Sequence, residues 1–150
     1  MNTKILFPGA FDPFTIGHLA IVKRALQHFD EVIIAIGQNS QKKSYFSLAE
    51  RLSAVEKAFE DEPRVSIASY DCLTADFAKK LNVNAILRGV RSIADFEYER
   101  NVADTNRRLF GVETVLLVAD AETAHISSSL VRELLSYGKD VSALVASPIK

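Results

Sequence analysis

One cysteine, Cys72, occurs in 150 residues, which excludes an intramolecular disulfide and a Cys-rich zinc site. By the usual habits of a free thiol it is expected to be a small packing residue. An excess of one charge is missing too: 18 Lys and Arg against 19 Asp and Glu leave a net charge of −1. Bulk nucleic-acid binding therefore has no support, and any phosphate ligand must be met by local cations. There is no run of 18 apolar residues and no apolar N-terminal signal region, so a soluble cytoplasmic protein with no membrane partner is expected. The Walker pattern, Gly-x-Gly-x-x-Gly and the Gly-x-Ser-x-Gly elbow are all absent. His28 and His125 have no partners at metal-binding spacing, so no protein metal site is assigned.

What is present is a regular alternation. Apolar runs at residues 4–7, 32–36, 65–68, 85–87 and 114–118 read as five strands. Between them, Leu19, Val22, Leu26 and Phe29 recur at helical spacing, as do Leu48, Leu52, Val55 and Phe59. Ser47 and Glu50 form a capping box that opens the second of these helices. Short strands alternating with helices predict an α/β fold, a doubly wound, Rossmann-like parallel sheet of five strands with helices on both faces. No repeat, low-complexity tract or linker interrupts residues 1–150, so one domain is expected, with a short tail from about residue 139 after Gly138.

In such a sheet, ligands gather beyond the carboxyl ends of the strands. The loops expected there carry most of the chemistry. Pro8-Gly9-Ala10-Phe11-Asp12-Pro13-Phe14-Thr15-Ile16-Gly17-His18 is a Gly/Pro turn leading into a helix, and a helix start binds anions through unpaired N–H groups and the dipole. The plain alternative is a tight turn whose histidine caps or packs. Arg88-Gly89-Val90-Arg91 presents two arginines suited to phosphate, although surface ion pairing would also explain them. The acidic run Asp95 to Glu99 near the start of a long helix also suits simple dipole stabilisation. His125-Ile126-Ser127-Ser128-Ser129 offers three hydroxyls at a helix start where capping needs one. The loop at residues 37–45 adds Lys42 and Lys43.

Together these segments resemble the nucleotidyltransferase superfamily with a (His/Thr)-x-Gly-His motif, here Thr15-Ile16-Gly17-His18, and an Ile-Ser-Ser-Ser/Thr motif, here Ile126 to Ser129. The block Arg88-Gly89-Val90-Arg91, Asp95-Phe96-Glu97-Tyr98-Glu99, Asn106-Arg107 is the more specific element, and with it the chain closely resembles the bacterial phosphopantetheine adenylyltransferases from residue 3 to about 145. The resemblance implies reversible transfer of AMP from ATP to 4′-phosphopantetheine, giving dephospho-CoA and pyrophosphate in coenzyme A biosynthesis.

It also implies roles for particular residues. His18, Lys42 and Arg88 would be catalytic. Ala10, Phe11, His18, Gly89, Val90, Arg91, Glu99 and Thr123-Ala124-His125-Ile126-Ser127-Ser128-Ser129 would contact ATP. Ala10, Lys42, Thr74 and Arg88 would contact phosphopantetheine. Mg²⁺ would be held mainly by ATP phosphates and water. A homohexamer and feedback inhibition by CoA are implied in the same way.

The chain departs from the family at two positions. Ala10 stands where the family usually has Thr or Ser, which removes a hydroxyl contact worth about 1.5–3 kcal/mol. Ile16 replaces a frequent Asn, which is expected to alter packing only. A cytidylyl- or nicotinamide mononucleotide adenylyltransferase, or a nucleotide- or CoA-binding form impaired by Ala10, are the alternative readings.

Overall fold

The computed structural model describes residues 2–39 and 41–148. Strands β1 (Lys4–Gly9), β2 (Glu31–Gly37), β3 (Val65–Tyr70), β4 (Ala85–Val90) and β5 (Thr114–Val118) pair in parallel in the order β3-β2-β1-β4-β5. Each strand is followed by a helix: α1 (Ile16–Ala25), α2 (Leu48–Ala58), α3 (Thr74–Lys80), α4 (Ile93–Phe110) and α5 (Ser128–Ser136). Period-two alternation of apolar side chains fills two cores. Ile5, Phe7, Ile34 and Leu87 pack on one face of the sheet with Val22 and Val55, whereas Leu6, Ala35 and Ile86 pack on the other with Phe77. The expected doubly wound sheet is observed.

The order reverses at β1, and the strands open there. β1 pairs with β2 through Gly9 and Ile36, and β4 with β5 through Val90 and Val118. Between β1 and β4, only Ile5–Ala85 and Leu6–Ile86 are in register. Pro8, without an N–H, cannot extend that ladder. The Arg88 guanidinium crosses the gap instead, its Nη1 donating to the Pro8 carbonyl at 2.7 Å. A crevice at the switch point follows from these residues.

Several boundaries differ from the sequence reading. β4 runs three residues beyond Leu87, because Arg88 and Gly89 pair with Leu116 and Leu117 although neither is apolar. Pro8 and Gly9 belong to β1 rather than to a turn. The seven-residue α3 is too short to show a periodicity. Cys72 is exposed in the β3–α3 connection, which corrects the expectation of a packing residue: that connection lies outside both cores. The segment after α5 folds back. The Ile16 N–H donates to the Leu144 carbonyl at 3.0 Å, the Ala146 N–H to the Phe14 carbonyl at 3.2 Å, and Val141 and Val145 are buried.

Candidate active site

α1 starts at Ile16, three residues before the apolar stripe, because Thr15 caps it. The Thr15 side chain accepts the His18 N–H at 3.3 Å, and the Thr15 N–H donates to His18 Nδ1 at 2.9 Å. A backbone N–H can only donate, so Nδ1 is the acceptor and the proton of the neutral ring is on Nε2. The ring sits among Phe7, Phe11 and Phe14, with centroids at 6.2, 5.0 and 5.3 Å. Loss of water among these rings, reinforced by the Arg88 and Arg91 charges, lowers its pKa from 6.5 to about 3. His18 is therefore an oriented, neutral N–H donor.

This state has a consequence for stability. The unfolded chain takes up a proton on His18 below pH 6.5, but the native protein takes it up only near pH 3, so stability is lost as pH falls through that window. An Asn at position 18 keeps an acceptor for the Thr15 N–H but does not titrate. The melting temperature is expected to fall more steeply between about pH 6.5 and pH 4 in the native chain than in His18→Asn. Equal slopes in the two proteins would contradict an imidazole that the fold keeps neutral.

Three arginines converge on the same crevice. Arg88 is bidentate to the buried Glu99, with Nε at 3.0 Å and Nη2 at 2.8 Å from its oxygens. Arg91 lies near Asp95, its Nε 3.4 Å from the carboxylate. From α5, Arg132 donates to the Asp12 carbonyl at 2.8 Å and to Ser129 Oγ at 3.1 Å. The serines are individually engaged: Ser127 Oγ caps α5 by accepting the Leu130 N–H at 3.1 Å, and Ser128 Oγ donates to the Pro13 carbonyl at 2.8 Å. The N–H groups of Gly17, Ser128 and Ser129 make no hydrogen bond within the described residues. Two helix starts thus aim free donors at the crevice.

A cleft of about 390 Å³ gathers these groups, lined by His18, Arg88, Arg91, Ser127, Ser129 and Arg132 among others. Of the residues expected to contact ATP, it also takes in Ala10, Phe11, Gly89, Glu99, Thr123, Ile126 and Ser128. Three others stand apart. Val90 turns its side chain into the core and its carbonyl to the Ala119 N–H at 2.8 Å, and neither Ala124 nor the exposed His125 lines the cleft. Glu99 reaches the cleft edge, but its carboxylate is spent on Arg88.

On the other side of Gly9 and Ala10 lie further clefts. One of about 970 Å³ holds Lys42, Lys43 and Arg132, and one of about 590 Å³ holds Gln38, Tyr70, Cys72 and Thr74. Ala10 borders all three clefts, and Gly9 borders the first and the third. Gly9 is needed for packing rather than for an unusual backbone: a Cβ there would stand 3.0 Å from the Phe11 ring.

Asp12, Arg51 and Arg132 were missed by sequence reasoning. Asp12 accepts the Tyr45 and Phe46 N–H groups at 2.7 and 2.8 Å, which ties the Lys42 loop to the β1 loop. The local signals were Arg132, three residues after Ser129 and hence on the same side of α5, and Arg51, in line with Val55 and the C-cap Phe59 of α2.

Residues 6–134 match the cytidylyltransferase-like family model. The chain is 51% identical to the phosphopantetheine adenylyltransferase of Phocaeicola vulgatus, covering 98% of this chain and 97% of that one. It is 44% identical to the protein of the same name from Aquifex aeolicus, covering 100% of this chain and 93% of that one. Among solved structures, it is similar to a bifunctional NMN adenylyltransferase/ADP ribose pyrophosphatase complexed with AMP and manganese ion from Francisella tularensis. That match has a TM-score of 0.69 and 20% identity, and covers 98% of this chain but 45% of that one. At this identity the likeness speaks for the fold.

Proposed function

The chain belongs to the phosphopantetheine adenylyltransferases of the cytidylyltransferase-like family, and from that premise we infer how its crevice performs adenylyl transfer. The protein transfers AMP from ATP to 4′-phosphopantetheine, giving dephospho-CoA and pyrophosphate, a step of coenzyme A biosynthesis. One observation carries the mechanism: Gly9, at the end of β1, and Ala10 just after it stand between the cleft of helix starts and arginines and the clefts of Lys42 and Thr74. ATP occupies the first side and phosphopantetheine the second, so the two phosphates meet at Ala10.

The acceptor phosphate needs no base, because its second ionisation lies near pH 6 and it is largely dianionic at neutral pH. Its oxygen attacks the α-phosphorus, and the bond to the β-phosphate oxygen breaks to release pyrophosphate. The protein supplies position and charge. His18 donates Nε2–H to an α-phosphoryl oxygen, and the α5 start with Arg91 and Arg132 holds the leaving phosphates. Arg88, which also lines a cleft of about 190 Å³ with Gly9, Tyr70 and Thr74, holds the acceptor phosphate together with Lys42. Of its five N–H donors, Arg88 uses three on Glu99 and Pro8 and keeps two for this task.

The carboxylates of the cleft are already committed. Asp12 binds two backbone N–H groups, and Asp95 and Glu99 bind arginines. A divalent cation, in our reading Mg²⁺, would therefore come with the ATP phosphates and would supply charge neutralisation there, with no cage of side chains among the described residues. Ile93, Phe96, Tyr98, Val102 and Leu109 leave apolar surface exposed along α4, which supports assembly of identical chains, in our reading a homohexamer. No helix among the described residues is long and apolar enough to cross a membrane. We place the protein in the cytoplasm, with CoA competing at the acceptor clefts.

Pyrophosphate release measured against a panel of substrates tests this reading. Release is expected with ATP only when 4′-phosphopantetheine is added, and not with CTP or with nicotinamide mononucleotide as acceptor. The reverse pattern would replace it with one of the related nucleotidyltransferases. Ala10 is exposed at the junction of the clefts, so Ala10→Thr adds a hydroxyl there without burying it. The variant is expected to raise kcat/KM about ten- to hundredfold. An unchanged value would show that the backbone alone meets the phosphates.

A further inference from the structure

Arg51 lies on the inward face of α2, 6% exposed, yet none of the ion pairs within 4.0 Å among the described residues includes it. Its Nη1 donates to the carbonyls of Ala10 at 2.8 Å and Gly37 at 3.2 Å, and its Nε is buried without a partner. A buried guanidinium with no counter-ion is costly, so its position calls for an explanation.

The neighbouring carbonyls supply one. Arg88 holds Pro8 O at 2.7 Å, Arg51 holds Ala10 O at 2.8 Å and Arg132 holds Asp12 O at 2.8 Å. Three elements, β4, α2 and α5, thus pin alternate carbonyls of one loop with guanidinium groups. In a trans peptide the C=O and the following N–H point in opposite directions. Fixing the Ala10 carbonyl on Arg51 turns the Phe11 N–H away from α2, and that N–H makes no hydrogen bond within the described residues. Phe11 and Ala10 line the cleft of His18, whereas Arg51 does not. Phe11 also sits at φ +48, a conformation that a bulky residue keeps only when its surroundings impose it.

We propose that Arg51 is a positioning residue for adenylyl transfer: from behind the loop it fixes the Ala10 carbonyl, presents the Phe11 N–H to the polyphosphate, and places an unpaired positive charge beneath it. With no hydroxyl at position 10, the backbone carries this recognition alone. The inference rests on the adenylyl-transfer reading.

Binding of two fragments to the full chain tests it: inorganic pyrophosphate, which feels the loop, and adenosine, which lacks phosphates. Arg51→Met is expected to weaken pyrophosphate about ten- to hundredfold and to leave adenosine within about twofold. Arg51→Lys keeps a charge and a single donor nitrogen but loses the fork, so a selective loss of about three- to tenfold is expected. Pyrophosphate binding within twofold of the native value in a folded Arg51→Met would overturn the proposal. So would parallel losses of both ligands, which mark general damage to the fold. If Arg51→Met does not fold, Arg51→Lys decides by the same two criteria. Absence of turnover in the native chain would count against the adenylyl-transfer reading, while the split between pyrophosphate and adenosine would still report on Arg51.

Discussion

Replacing His18 by alanine will lower kcat by about 10²–10³ while the affinity for ATP moves less than about fivefold. The size follows from what the ring is. A neutral Nε2–H, oriented by the Thr15 N–H on Nδ1 and held among three phenyl rings, is an oxyanion donor that needs no reorganisation as charge develops. Such a donor strengthens its bond as the α-phosphoryl oxygens gain charge, so the loss falls on turnover more than on binding. His18→Asn separates this role from capping, since the amide oxygen can still accept the Thr15 N–H. Equal damage in the Asn and Ala variants is expected, and Asn activity within tenfold of native would assign the histidine to the cap. Because the imidazole is already neutral, the acidic limb of kcat/KM for 4′-phosphopantetheine should follow the second ionisation of the free acceptor phosphate, near pH 6, in native and Asn proteins alike.

Arg88→Met is the second large effect, and it has two parts. Glu99, 7% exposed, loses the guanidinium that neutralises it. Breaking a buried pair is costly, but Arg88 is itself 33% exposed, so a penalty on the order of 2–3 kcal/mol is expected after screening. For a chain of this size that lowers the melting temperature by about 5–10 °C. The second part is functional: kcat/KM for 4′-phosphopantetheine should fall about 10²–10³-fold, since both the phosphate contact and the clamp on Pro8 disappear. Adding Glu99→Gln removes the stranded charge. The double variant should regain most of the melting temperature and none of the activity. Recovery of both would reduce Arg88 to a structural ion pair.

Much of this was legible from local pattern. Ile5 to Phe7 and Val32 to Ile36 show strands because their apolar content is uninterrupted, and Ser47 and Glu50 mark a helix start by their spacing. The loops of His18, Arg88 and Ser127 to Ser129 could be placed at one end of the sheet by topology alone. What escaped is long-range. Arg88 and Gly89 continue β4 because β5 offers them a ladder, which polarity in the sequence hides. Arg51 sits on the stripe with Val55 and Phe59 at four-residue spacing, a sign of burial, but its partners at Ala10 and Gly37 are 41 and 14 residues away. The apolar shell that keeps His18 neutral comes from Phe7, Phe11 and Phe14 only once the turn has folded them onto the ring.

The mechanism depends on direct attack by the acceptor phosphate, with no side chain as nucleophile. The serine hydroxyls of the cleft are engaged with Leu130, Pro13 and Arg132, and Cys72 lines a different cleft from His18. The decisive measurement is the stereochemical course at the α-phosphorus, followed with ATP made chiral there by oxygen isotopes and 4′-phosphopantetheine as acceptor. A single in-line displacement gives dephospho-CoA with inverted configuration, the expected result. Retention would require two displacements through an adenylylated protein, and would contradict a site that works by position and charge alone.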